Sequence, residues 1–283
     1  MRLFLRRILL FAFPLLLVWG LLWWMPYDQE AGFRYLREHC HNGAWLQHRL
    51  FQDDRPMDVV CLGSSRMMCA LSDSLLSDLL SDKGKRTEVI NLGYCRYGRS
   101  LHRSLGELAM DRFDPKVFLV EVRQTEDGYS HPDFPYLARS SALWANDPFR
   151  NRRYLEQIEQ GAESRFLALR NQLLDLKPSE TFSKAESRPH WFNLDGPLLH
   201  IREDHKGPDR ELTPIASTPP LSYPHHQLQA FATKVLNQGG KVIFLFLPDY
   251  QSPAGQEPID LSFYQSLGEV LLPPDSITQP EAH

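Results

Sequence analysis

The chain has 283 residues, enough for one sizeable α/β domain with decorations and too few for two full domains. Its formal net charge of -4 and pI near 6.3 leave no basic footprint, which argues against nucleic acid as a partner. Mean hydropathy is -0.37 with 42% hydrophobic residues, so any membrane signal must be local rather than spread over many spans.

Such a local signal opens the chain. Arg2, Arg6 and Arg7 precede an uncharged run from Ile8 to Met25 that ends in Trp23, Trp24 and Met25. About eighteen apolar residues are near the minimum that spans a hydrocarbon core, and paired tryptophans suit its interface. No small-x-small cleavage site follows. Residues 1–27 are therefore expected to be a basic cytoplasmic end and an uncleaved, single-pass transmembrane anchor. The N-terminal helix would make the membrane a partner, and the C-terminal domain would lie outside the cytoplasm, held at the inner (cytoplasmic) membrane. Residues 28–56 read as a membrane-proximal connector with a helix over Ala31 to Arg37. His39 and His41 flank Cys40 there, but a compact zinc site needs about four ligands and no partner pair is evident. No metal or other cofactor is expected.

From residue 57 the pattern becomes that of an α/β domain. Asp58-Val59-Val60-Cys61-Leu62 is a short apolar strand broken by Gly63, and Ser64, Ser65 and Arg66 lead into an apolar-periodic helix from Met67 to Leu80. Glu88 to Leu92 is a second strand closed by Gly93; Arg99 to Phe113 is a helix stopped by Asp114-Pro115; Lys116 to Val122 is a third strand. This alternation makes a parallel sheet. Asn151 to Leu176 is the clearest helix, with apolar residues three and four apart, and is read as part of an insertion at about 128–224. Pro178 to Pro224 lacks periodicity. The core resumes with a helix from His225 to Gln238, a strand from Lys241 to Leu247, and a last helix over Leu261 to Leu271. Cys61 is expected to be a buried thiol, and Cys69 and Cys95 are candidates for a disulfide.

Gly63-Ser64-Ser65, Asn91-x-Gly93 and the order of strands from Asp58 to Pro248 resemble the SGNH (GDSL-like) hydrolase superfamily. The likeness is to its membrane-anchored branch acting on envelope polymers, with Gly-Ser-Ser in place of Gly-Asp-Ser. The resemblance implies a doubly wound, flavodoxin-like parallel sheet and a serine nucleophile at Ser65. It also implies an oxyanion hole built from the Ser65 and Gly93 N–H groups and a side-chain amide after the third strand, where Gln124 stands instead of asparagine. Its late Asp-x-x-His block has no counterpart here: Asp275 and His283 are eight residues apart. From the residues alone, Ser64 or Ser65 reads first as an N-cap of the following helix, since Gly-Ser-Ser is common. Two function classes stay open. One is a membrane-anchored esterase or O-acyltransferase acting on an acylated envelope polysaccharide, alone or with an acyl-donor membrane protein. The other is a degenerate domain of the same build that binds such a polymer without turnover.

Overall fold

Five short apolar segments pair side by side as a parallel sheet: β1 (Val59–Leu62), β2 (Val89–Asn91), β3 (Val117–Val122), β4 (Lys241–Phe246) and β5 (Glu269–Leu271). Their order is β2-β1-β3-β4-β5. The register aligns Val59 with Val89 and Val117, and Val117 with Lys241. The computed structural model describes residues 2–24, 27–30, 32–33, 40, 42–81, 86–126, 128–174, 222–248 and 257–272.

Side chains alternate across a strand, and the two faces are covered by different helices. Val60, Leu62, Phe118, Val120, Phe244 and Phe246 join one large core with α2 (Gly43–Phe51), α5 (Arg99–Phe113) and α9 (Tyr223–Asn237). Val59, Cys61, Val89 and Leu119 meet Met67 of α3 (Ser65–Ala70) and Leu76 of α4 (Asp73–Leu80) on the other. The single helix expected over Met67 to Leu80 is thus two. Leu71 and Ser72 leave helical conformation, and the Ser72 hydroxyl accepts from Leu75 N to start the second. Three short or long helices, α6 (Phe134–Leu137), α7 (Ser140–Trp144) and α8 (Tyr154–Leu173), follow β3. The expected last helix stops early: α10 (Leu261–Leu267) ends at Gly268 and the chain turns into β5. Its neighbour β4 offers an open ladder edge, and pairing outweighs the helical spacing of Leu267 and Leu271. Most of the expected helix at Ala31 to Arg37 and residues 178–221 lie outside the described residues.

The fold class expected from sequence needs correction at its start. The apolar run does form a helix, α1 (Arg2–Trp24), but among the described residues no helix is long and apolar enough to cross a membrane. The last turn of α1 is used inside the fold instead. Leu22 is buried, Trp23 packs 5.0 Å from Trp144, and the Arg165 guanidinium lies 4.7 Å from the Trp23 ring. The part ahead of that turn, Ile8 to Leu21 with Pro14 inside it, rises about 20 Å at 1.5 Å per residue, short of the roughly 30 Å of a hydrocarbon core. The transmembrane anchor is therefore withdrawn, and the single-pass inner-membrane localisation derived from it falls as well.

The cysteine expectation is also revised. Cys61 is a buried free thiol whose pKa burial pushes up to about 12. Cys95 pairs with Cys40, at a Cα separation of 5.7 Å, rather than with Cys69, which stays free and exposed. The partner comes from the segment before α2 because Asn42, two residues on, is itself anchored under the β2 turn, donating to the Gly93 carbonyl at 2.6 Å.

Candidate functional site

A parallel sheet of this strand order changes direction between β1 and β3, and the crevice outside their carboxyl ends is where such sheets take ligands. The residue that fills it from β1 is Ser64. As N-cap of α3 it accepts a hydrogen bond from Arg66 N at 3.2 Å. From β3 comes Glu121, whose side chain is fully buried. Ser64 N donates to Glu121 Oε2 at 2.6 Å, and Ser64 Oγ lies 2.9 Å from both carboxylate oxygens. Gly63 makes this approach feasible, because a Cβ there would stand 2.5 Å from Glu121 Oε2. A buried carboxylate needs compensating charge. Arg123 supplies it at 3.0 Å through Nε and also donates to Ser64 Oγ at 2.8 Å, while Arg66 Nε stands 3.5 Å away.

A second buried ion pair lies behind the first. Arg99, at the start of α5, donates to the Glu121 carbonyl at 2.8 Å and pairs with Glu126. The Tyr97 and Tyr264 hydroxyls also donate to Glu126, at 2.9 and 2.7 Å. Burial alone would favour the neutral acid, but Arg99 and the two hydroxyls hold the Glu126 carboxyl below its ordinary range. Burial likewise opposes charge on Arg99, and Glu126 overrides it and raises its pKa. The Arg123 guanidinium stacks 4.1 Å from the Tyr97 ring centre, joining the two pairs.

Ser65, Gly93 and Gln124, the residues singled out from sequence, follow β1, β2 and β3 at this same edge. Ser65 is the first residue of α3; it is exposed, and no hydrogen bond engages its hydroxyl among the described residues. Gly93 is committed: its N–H donates to Asn91 Oδ1 at 3.0 Å, and a Cβ would lie 2.7 Å from Met68 N. It presents no free donor to an oxyanion. Gln124 is half-buried, its carbonyl accepts from Ile259 N at 3.4 Å, and no hydrogen bond engages its side-chain amide among the described residues.

No described histidine is hydrogen-bonded to Ser65. His102 on α5 is buried edge-on to Tyr97 at 5.2 Å, and neither ring nitrogen has a hydrogen-bond partner. Burial lowers its pKa well below the ordinary value, helped by Arg99, His131 and Arg123; the Gly63 backbone pulls the other way without reaching hydrogen-bond geometry. His131 is fixed as a structural residue. Its Nδ1 accepts from Asp133 N at 3.0 Å, which leaves Nε2–H to donate to the Cys95 carbonyl at 2.9 Å, and burial lowers its pKa to about 4. His225 bonds Ser222 and Asp260. Among the described residues no cluster of His, Cys, Asp and Glu is arranged to hold a metal ion.

The sequence reading offered Ser64 only as an N-cap, which it is, and passed over Glu121, Arg123 and the Arg99–Glu126 pair. A charged residue inside a strand that otherwise reads Val-Phe-Leu-Val-x-Val was the available signal, since a buried carboxylate requires a partner. No protein-family model, curated protein or solved structure matches this chain.

Proposed function

We propose that this chain is an SGNH-like α/β domain that binds an acylated polysaccharide in the crevice between β1 and β3 without turning it over at Ser65. The observation that carries the reading is the state of the catalytic parts. The Ser65 hydroxyl has no imidazole among the described residues, and the Gly93 N–H is spent on Asn91. The neighbouring serine is locked by Glu121 and Arg123. Loss of the base from a serine triad lowers the rate by several orders of magnitude. What the crevice offers is recognition. Arg66 and Arg123 are each 26% exposed while the carboxylate they share is 0% exposed. A ligand therefore meets guanidinium edges and the Gln124 amide, which suit acyl carbonyls, hydroxyls and carboxylates. Among the described residues no helix is long and apolar enough to cross a membrane, so the polymer is named by chemistry alone.

Calorimetric titration of the full chain with an O-acetylated polygalacturonate and its deacetylated form tests this. The acetylated polymer should bind more tightly, and Arg123→Ala should weaken it about tenfold, equivalent to about 1.4 kcal/mol. Equal affinity for the two forms, or acetate release that Ser65→Ala abolishes, would sink the reading in favour of an esterase or acyltransferase centred on Ser65.

A further inference from the structure

A second serine at the carboxyl edge is in a different state. The helix α9 runs back to the amino end of β4 through Gly239-Gly240, so its own start lies at the opposite, carboxyl end. Ser222 is the N-cap of α9, yet its side chain caps nothing. Its Oγ instead lies 3.0 Å from His225 Nδ1. On the far side of the ring, His225 Nε2 lies 3.1 Å from Asp260 Oδ2. Asp260 is the N-cap of α10 and its side chain caps nothing either. A capping serine or aspartate ordinarily accepts from the N–H groups of the first turn, a contribution of about 1 kcal/mol. Both of these residues forgo it, and both are turned onto one imidazole.

We propose that Ser222, His225 and Asp260 form an acyl-transfer site for carboxylic esters, separate from Ser65. Asp260 accepts from Nε2–H and so fixes the tautomer in which Nδ1 is bare and faces the Ser222 hydroxyl. This is the logic of a serine–histidine–aspartate relay with the two ring nitrogens exchanged. The imidazole is 5% exposed and packs 4.3 Å from the Phe263 ring, so it has one orientation, while the Asp260 side chain is 21% exposed. Oxyanion donors are at hand. The first intrahelical bond of α9 is His226 N to Ser222 O, Pro224 has no N–H, and among the described residues no acceptor takes the N–H groups of Tyr223 and His225 at the helix start.

The step balances without a cofactor. Ser222 Oγ attacks the ester carbonyl as His225 Nδ1 takes its proton, and the tetrahedral oxyanion meets the Tyr223 and His225 N–H groups. The ester C–O bond then breaks, and the departing alcohol takes the proton back from Nδ1. Water, deprotonated by the same nitrogen, attacks the acyl-Ser222 ester; the bond to Oγ breaks, Oγ recovers the proton, and a carboxylic acid leaves.

The test is covalent labelling of the full chain with an alkyl fluorophosphonate, in which Ser222 Oγ displaces fluoride from phosphorus, followed by peptide mass mapping. The adduct should sit on the peptide that contains Ser222, and His225→Gln should slow its formation about a hundredfold. Because that variant could disturb the fold, a second measurement uses Ser222→Cys. Its thiol should be alkylated by iodoacetamide much faster than the exposed Cys69 in the same molecule, and the advantage should vanish when His225→Gln is added. No adduct on Ser222 together with no such advantage overturns this site and leaves the polysaccharide-binding reading standing. An adduct on Ser65 in place of Ser222 overturns both.

Discussion

At the turn after β1, the hydroxyl of Ser64 caps α3, touches a buried carboxylate and receives a guanidinium; at the start of α9, the hydroxyl of Ser222 leaves its helix uncapped and meets an imidazole. At the first site the serine is saturated: its hydroxyl meets Glu121, Arg123 and Arg66 N, and the network runs unbroken from Ser64 through Glu121 and Arg99 to Glu126 and Tyr264. The second is spare, with three side chains in line and, among the described residues, backbone donors without acceptors. A saturated polar cluster lowers the energy of the folded state, whereas an unsaturated one retains hydrogen-bonding capacity for a reacting group. If the contrast is correct, damage to the first site should appear in stability and damage to the second in reactivity.

The largest effect is expected at Arg99→Ala. Its partner Glu126 has a side chain only 1% exposed, and removing one member of a buried pair strands a charge, a loss of about 3–5 kcal/mol. Chemical denaturation should show it as a lower midpoint. An unchanged midpoint would mean that water reaches Glu126 and that the network is not the closed cluster described.

Next comes the Cys40–Cys95 bridge, which holds the residues beneath the β2 turn next to α3. It closes a loop of sequence separation 55, for which constraint of the unfolded chain predicts a loss of about 4 kcal/mol when it is cut. A Cys40→Ser, Cys95→Ser double variant should melt well below the parent in a calorimetric scan, and a reductant should lower the parent but leave the variant unmoved.

How much of this was legible in the sequence depends on the range of the interaction. The first four strands are short apolar runs bounded by Gly, Pro and Asp, and local pattern was enough to find them. β5 was missed because Leu261 to Leu271 carries a helical spacing, and only the open edge of β4 makes extension preferable. The anchor was misread because the apolar run does look long; that Leu22 and Trp23 would pack against the insertion rather than extend the run is a tertiary fact. Sequence pointed at Ser65 in the turn after β1; the contact of its neighbour Ser64 with Glu121, 57 residues away, was beyond local pattern. His225 was visible as a helix start; Asp260, 35 residues on, was not.

Acid should weaken the fold through its buried histidines, His131 and His102. Burial holds His131 neutral, with a pKa of about 4 against an ordinary 6.5, and His102 shifts the same way. The unfolded chain therefore binds more protons between those two values, so stability is full above about pH 6.5 and declines as pH falls toward 4. His131 alone accounts for at most about 3 kcal/mol. Denaturation midpoints across pH 4 to 7 should follow that slope in the parent and a shallower one in His131→Asn. A flat profile in the parent would show that these rings are reached by water.

The smallest effect on stability is the most informative, because it compares the two serines directly. Ser64→Ala removes a cap and leaves Glu121 and Arg123 short of a partner, so it should cost about 1–2 kcal/mol and leave fluorophosphonate labelling at its parental rate after correction for the folded fraction. Ser222→Ala removes a hydroxyl that caps nothing and is only partly buried, so its cost should stay within about 0.5 kcal/mol while labelling of that peptide disappears. The two variants, measured by the same melt and the same labelling assay, should cross: one loses stability and keeps reactivity, the other the reverse. If Ser222→Ala destabilises as much as Ser64→Ala, the bond from Ser222 to His225 is a local fastening of the start of α9, and the distinction between a saturated and a spare serine disappears.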